Sequence, residues 1–389
     1  MSANGLDLDS LSLDDLHRRR SAKWSHYPPD VIPAWVAEMD FPSAEPILRA
    51  IRQSLDRSDF GYPGFIGDIG FGEVIASWAD RTYGWQVDPD GIVVLPDVVR
   101  GLQVALQVLT EPGDEVVIQP PVYPPFFSVV KETGRTLVEN PLVRSNGRFE
   151  VDLDGLDAVL AHARAFILCN PHNPTGRSFS RDELEAIAEV AARHDVFVIA
   201  DEVHSALTLP GATHTVFATL AEEVSARTVT VTAASKAWNF GGLKCGYAVG
   251  GSPELAARLQ ALGHHAVGGA SILGIVATEA AYRSGGHWMQ EVVAYLDGNR
   301  RLLGELLARN LPQIGYTFPE ATYLAWLDCR ALGLNPDPYT FFLDNARVAF
   351  SPGPNFGKQG EGFVRFNFAT SKAIVTEIVE RMAAAVNAR

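Results

Sequence analysis

Residues 165–200 read as one strand–helix–strand unit, and that unit sets the terms for the rest of the chain. Ala165–Cys169 is a short, wholly apolar run. Ser180 and Glu183 then form a capping box ahead of Leu184, Ile187, Ala188 and Ala191, a spacing that predicts a helix over 181–193. A second apolar, β-rich run follows at Val196–Ala200. Two strands joined through a helix lie parallel, and strands apolar on both faces suit a sheet covered by helices on either side. Three further runs have the same character: Ile92–Leu95, Glu115–Gln119 and Thr228–Thr232. The expected fold class is therefore α/β, with a mostly parallel sheet between helices.

The flanks differ. Residues 1–45 read as an arm, a short helical stretch followed by segments broken at Pro28, Pro29, Pro33 and Pro42. Residues 46–285 carry the alternating pattern. From 286 a long helix, to about 310, precedes strand-like pieces at 322–328, 347–351 and 363–369 and a last helix over 371–387. This reads as a smaller α+β domain, 286–389, that packs with the arm because neither piece has a convincing core alone.

A chain of 389 residues with 47% hydrophobic residues can bury more than one core. Its net charge of −14 gives no general attraction for nucleic acid or an anionic membrane, so neither is expected as a partner. No run approaches the roughly 20 apolar residues that span a bilayer. The N-terminus lacks the apolar core of a secretory signal. Cys169, Cys245 and Cys329 are odd in number and lack CxxC spacing, which points to a reducing, cytoplasmic setting. No metal site is expected: His264-His265 is poor ligand spacing for one ion. Gly64, Gly67, Gly70 and Gly72 do not follow a strand in GxGxxG order, so a nicotinamide site is not supported.

Ligands of open parallel sheets bind beyond the carboxyl ends of the strands. After 92–95 come Asp97, Val98 and Val99, opening a helix; after 115–119, Tyr123; after 165–169, Asn170-Pro-His-Asn-Pro-Thr-Gly176; after 196–200, Asp201-Glu-Val-His204; after 228–232, Ser235-Lys236. Each residue alone has an ordinary reading: a surface lysine, a helix cap, a turn asparagine, a packed tyrosine, a structural histidine. Together they put a lysine, a carboxylate, an amide, an imidazole, an aromatic ring and a helix N-terminus at one crevice. Pyridoxal 5′-phosphate (PLP) needs such a set: an amine to form a Schiff base, a carboxylate for the pyridine nitrogen, donors for the phenolic oxygen, and backbone N–H groups for the phosphate.

At these residues the chain resembles the fold-type I aminotransferase superfamily. Within it, the chain is similar to the cystathionine β-lyase branch of C–S lyases. The superfamily marks are Asn170–Gly176, Asp201, Ser235-Lys236 and Arg365; the branch marks are Lys23-Trp24, Trp35–Phe41, Phe60–Pro63, Pro121–Phe126 and Asp201–His204. The resemblance implies Lys236 as Schiff-base lysine and proton carrier, with Asp201 on the pyridine nitrogen. It implies Asn173 and His204 at the phenolic oxygen, Tyr123 stacked on the ring, and Val98, Val99, Ser235 and Lys244 around the phosphate. Arg365 would clamp the substrate α-carboxylate, aided by Asn173 and Tyr123. Tyr62 would reach the neighbouring subunit's site, which implies a homodimer. The Asn173–Pro174 bond is expected to be cis.

Three positions depart from the pattern. Glu38 stands where aspartate is usual, Lys244 where arginine is common, and Asp97 where a glycine is common in the phosphate turn. A carboxylate repels phosphate, so the Asp97 side chain must turn away or cap the helix. The implied reaction is α,β-elimination from L-cystathionine or a related sulfur amino acid, giving a thiol, pyruvate and ammonia. The alternative is an amino-acid aminotransferase. A dicarboxylate transaminase needs a second arginine, for which no clear candidate exists. An intact Lys236, Asp201 and Arg365 argue against a purely regulatory role.

Overall fold

The computed structural model describes residues 6–64, 67–145 and 147–389. A seven-stranded sheet is built from β1 (Ile92–Leu95), β2 (Glu115–Ile118), β3 (Thr136–Glu139), β4 (Ala165–Cys169), β5 (Phe197–Asp201), β6 (Thr228–Thr232) and β7 (Gly246–Gly250). Its spatial order is β1-β7-β6-β5-β4-β2-β3. The pairs from β6 through to β3 are parallel, while β7 runs antiparallel to both β1 and β6. The five expected strands are present within one residue of their expected ends, and the mostly parallel α/β class holds. β3 and β7 were not expected. Short runs bounded by glycine, such as Gly246–Gly250, carry little signal of their own.

Successive residues of a strand point to opposite faces, and β4 displays this directly. Ala165, Ile167 and Cys169 belong to a core that includes Leu102, Phe126 and Val231, whereas Phe166 and Leu168 belong to one that includes Leu184, Ile187 and Phe217. Every residue of β4 and β6 is buried, as a helix-covered parallel sheet requires. The connecting helix Arg181–Arg193 starts at the Ser180–Glu183 capping box read from the sequence.

A second sheet contains β8 (Gly315–Tyr316), β9 (Leu324–Asp328), β10 (Ser351–Pro352) and β11 (Phe363–Asn367), in the order β8-β9-β11-β10. Helices Gly286–Asn310 and Lys372–Asn387 pack beside it. The N-terminal segment joins this region. Ile32–Pro33 pairs in parallel with Val348–Ala349, the Asn367 N–H donates to the Ala34 carbonyl, and the Asp40 N–H donates to the Ala369 carbonyl. Lys23 and Asp40 form a fully buried ion pair at 2.8 Å, and the Trp24 indole N–H donates to the same carboxylate at 2.7 Å. A buried pair of this kind is tolerated because both charges are hydrogen-bonded. It explains the Lys23-Trp24 mark as a clasp on the turn over 35–41.

Candidate active site

The carboxyl ends of β4, β5 and β6 open into a cavity of about 430 Å³. Lys236, Asp201, Asn173, His204, Tyr123, Val98, Val99, Ser235, Lys244 and Arg365 all line it. Ten residues picked from separate parts of the sequence thus converge on one space. Tyr62 does not join them: it is fully exposed on the surface of the chain.

Lys236 lies in the loop after β6. Two residues on, Trp238 is completely buried against Trp78 and Tyr282, and its indole N–H donates to the Gly285 carbonyl at 3.0 Å. Asn239, at φ 60°, accepts from the Met39 N–H at 2.9 Å and donates to the Met39 carbonyl at 2.8 Å. The loop is therefore fixed on both sides of the lysine. The Lys236 Nζ donates to the Ala37 carbonyl at 3.0 Å, and the Tyr323 hydroxyl donates to the same oxygen at 3.0 Å. Burial and the nearby Arg365 charge lower the lysine's pKa to about 8, partly opposed by Asp201 and Glu38.

Asp201 ends β5, with Cys169 beside it across the β4–β5 pairing. Its Oδ1 accepts from the Val203 N–H at 3.1 Å. Burial raises its pKa to about 7, with Lys236 opposing. A carboxylate kept this dry is poised to pair with a cation inside the cavity. His204 is pushed down to about 3 by burial, Lys236 and Arg365, so its ring is neutral. Its buried Nδ1 has no hydrogen-bond partner. Burial also raises the Tyr123 pKa, which keeps the phenol protonated.

Arg365, on β11, comes from the other side. Its Nη1 donates to Asn173 Oδ1 at 2.9 Å; its Nη2 donates to the Trp35 carbonyl at 2.7 Å and to Ser351 Oγ at 3.1 Å. Its guanidinium lies over the Phe356 ring at 4.9 Å. It is 6% exposed, its Nε has no partner, and none of the ion pairs among the described residues includes it. Burial lowers its pKa to about 10, so it stays charged at neutral pH. A structural salt bridge does not account for this residue. The Asn173–Pro174 bond is cis, as expected.

At the far end, the side chain of Asp97 caps helix Val98–Leu109. Its Oδ1 accepts from the Arg100 N–H at 2.9 Å, and its Oδ2 accepts from Lys244 Nζ at 2.9 Å. The capping geometry anticipated for a carboxylate at this turn is the one found. Val98 and Val99, the first two residues of that helix, line the cavity. Glu38 acts partly through its backbone, whose carbonyl accepts from Lys23 and Asn367. Sequence reasoning missed Trp35, Val36, Ala37, Cys169 and Ser351 as lining residues. The first three reach the site through the pairing of Ile32–Pro33 with Val348–Ala349, a contact across more than 300 residues that no local pattern signals.

Residues 31–382 match the family model described as aminotransferase class I and II. The chain belongs to that family. It is 38% identical to the cystathionine β-lyase PatB of Bacillus subtilis, covering 92% of this chain and 93% of that protein. It is 33% identical to the cystathionine β-lyase of Corynebacterium glutamicum, covering 95% and 98%. The PLP-bound C–S lyase of Staphylococcus hominis superposes with a TM-score of 0.90 at 30% identity, covering 97% and 99%. The resemblance read from the motifs is borne out at the level of the family and of its C–S lyase branch.

Proposed function

We propose that this chain is a PLP-dependent C–S β-lyase that cleaves L-cystathionine or a related sulfur amino acid. L-Cystathionine and water would yield homocysteine, pyruvate and ammonia. The observation that carries an amino-acid substrate is Arg365, a buried guanidinium without a carboxylate, in the same cavity as Lys236 and Asp201. The choice of elimination draws on the lyase relatives. Among the described residues the lining holds one further cation, Lys244, which is paired with Asp97.

The cavity suits PLP. The orphaned His204 Nδ1, the buried Asp201, the amine of Lys236 and the open helix N-terminus at Val98 and Val99 are complementary to the cofactor's phenolic oxygen, pyridine nitrogen, aldehyde and phosphate. Ser235 and Lys244 would complete the phosphate contacts, and Tyr123 would cover the ring. When bound, PLP supplies the sink for the electron pair left at the substrate Cα. Asp201, ionised beside the pyridinium, keeps the ring nitrogen protonated. Arg365 grips the substrate carboxylate in a fork and orients the Cα–H bond. With its pKa at about 8, a useful fraction of Lys236 is neutral near physiological pH, and its Nζ takes the α-proton. Because Asn173 Oδ1 is held by Arg365, its amide N–H group would be left to donate to the phenolic oxygen. The protonated Tyr123 can give its proton to the departing sulfur.

Fully exposed Tyr62 and 64%-exposed Phe60 support a homodimer in which Tyr62 completes the partner's phosphate site. The division into an arm (1–45), a PLP-binding domain (46–285) and a small domain (286–389) fits the two sheets. Among the described residues no helix is long and apolar enough to cross a membrane. Three buried free cysteines favour a cytoplasmic setting.

The test is incubation with L-cystathionine. Pyruvate should accumulate over many turnovers without an added keto acid. A reaction that stops after one turnover and restarts only with a keto acid would establish the aminotransferase instead. Lys236→Ala should lose at least about 10³-fold in rate; retained turnover would move the base elsewhere.

A further inference from the structure

Among the described residues that line the cavity, Asp97 is the charge that works against the cofactor assigned to it, and its position is well defined. Its Oδ1 occupies the third N–H of helix Val98–Leu109, through Arg100, as an N-cap. Its Oδ2 holds Lys244 at 2.9 Å. Lys244 is fixed in turn: its backbone is left-handed at φ 56°, and its carbonyl accepts from the Ser271 N–H at 3.0 Å. Asp97, Lys244, Ser235 and the first helical turn line the same cavity, with Asp97, Lys244 and the helix start in direct contact.

We propose that Asp97 sets how tightly the chain grips the cofactor phosphate, bracing the cradle when it is free and weakening the grip when it is filled. The inference rests on the reading that the phosphate lies at the Val98–Val99 turn. In the free protein the carboxylate stabilises the helix N-terminus and neutralises Lys244, so the two arms of the cradle are held together. A bound phosphate is a second anion at this corner. It must share the single cation, Lys244, and the same helix end with Asp97. Burial pushes the carboxylate's pKa up, but the helix N–H groups and Lys244 outweigh it and hold the group below its ordinary value, so it stays ionised. Each anion attracts the ammonium independently, but the two also repel each other, so the phosphate is held less tightly than it would be by Lys244 alone. The two effects of Asp97 therefore have opposite signs: it adds stability to the apoprotein and subtracts affinity from the holoenzyme. A glycine at this turn would do neither.

The experiment compares holoenzyme and apoprotein of the wild type, Asp97→Asn, Asp97→Gly, Ser235→Ala and Lys244→Met. The readouts are the dissociation constant and release rate of PLP, the ³¹P resonance of the bound cofactor, and the melting temperature without cofactor. Asn keeps the cap without the charge, and Gly removes the side chain at little cost to the cap. Both Asp97 variants should bind PLP about tenfold more tightly and release it more slowly. Their ³¹P signal should move, and their apoproteins should melt earlier than wild type. Ser235→Ala and Lys244→Met should bind PLP more weakly. If those two weaken binding while both Asp97 variants bind PLP no more tightly than wild type, the role given to Asp97 is wrong. If Ser235→Ala and Lys244→Met bind PLP as the wild type does, the phosphate lies elsewhere, and the assignment of this corner falls first.

Discussion

Arg177 and Arg365 are both buried, at 4% and 6% exposure, yet they stand in opposite company. Arg177 donates through Nη2 to both oxygens of Glu183 at 2.8 and 2.7 Å, through Nε to Glu320 at 3.3 Å, and through Nη1 to the Phe149 carbonyl at 2.6 Å. Its charge is cancelled by its own chain. Arg365 meets an amide oxygen, a backbone carbonyl, a hydroxyl and the face of a ring, all neutral. Burying an uncancelled cation costs stability, and only an incoming anion repays it. Burial alone therefore does not separate an architectural arginine from a binding one; the identity of the acceptors does.

This contrast can be broken in four ways. Arg177→Ala removes the buried partner of Glu183 and Glu320, which keep Arg148, and should lower unfolding free energy by about 3 kcal/mol in denaturant titration. Arg365→Met should leave apoprotein stability equal or higher; a loss matching that of Arg177→Ala would make Arg365 architectural too. Next in size, Arg365→Lys loses the fork and should reduce kcat/KM by about 10²-fold, mostly through KM. An unchanged KM would remove the carboxylate role.

Third, a simple carboxylate such as propionate should raise the melting temperature of the wild type. Occupancy at 100 times its Kd corresponds to about 2.7 kcal/mol. The same titration should leave Arg365→Met unmoved, and equal stabilisation of both proteins would place the anion elsewhere. The smallest effect concerns reach. Arg365 helps hold the Lys236 pKa down at about 8. Capture of PLP by the apoprotein requires the neutral amine, so its rate should rise as pH increases through about 8. Removing the Arg365 charge should move that midpoint upward, whereas an Arg177 substitution should not. A midpoint unmoved in Arg365→Met would show that burial alone depresses the lysine.

Much of the site was legible because strand ends are local. β6 occupies the predicted residues and β5 lies one residue further on, so Asp201 and Lys236 could be assigned to one edge before any contact was known. Asp97 was legible as a constraint: a carboxylate at that turn had to turn away or cap the helix, and it caps. What escaped depends on pairing at a distance. Ala37 meets Lys236 only because Ile32–Pro33 is zipped to Val348–Ala349 and Asn239 grips Met39. Ser351 matters only through Arg365, fourteen residues away in sequence but opposite it across β10 and β11. Such contacts depend on how sheets and loops assemble, and no window of ten or fifteen residues contains them.

The union of the chain's first and last segments also has a consequence during synthesis. The wall formed by residues 35–39 leaves the ribosome about 300 residues before its supports at Val348–Ala349, Arg365, Asn367 and Ala369. A nascent chain that has reached only residue 349 can have Lys236 and Asp201 on a finished sheet and still lack one side of the chamber around them. Closure of the chamber thus follows completion of the main sheet, and a product cut there would leave the lysine open to water and to stray aldehydes.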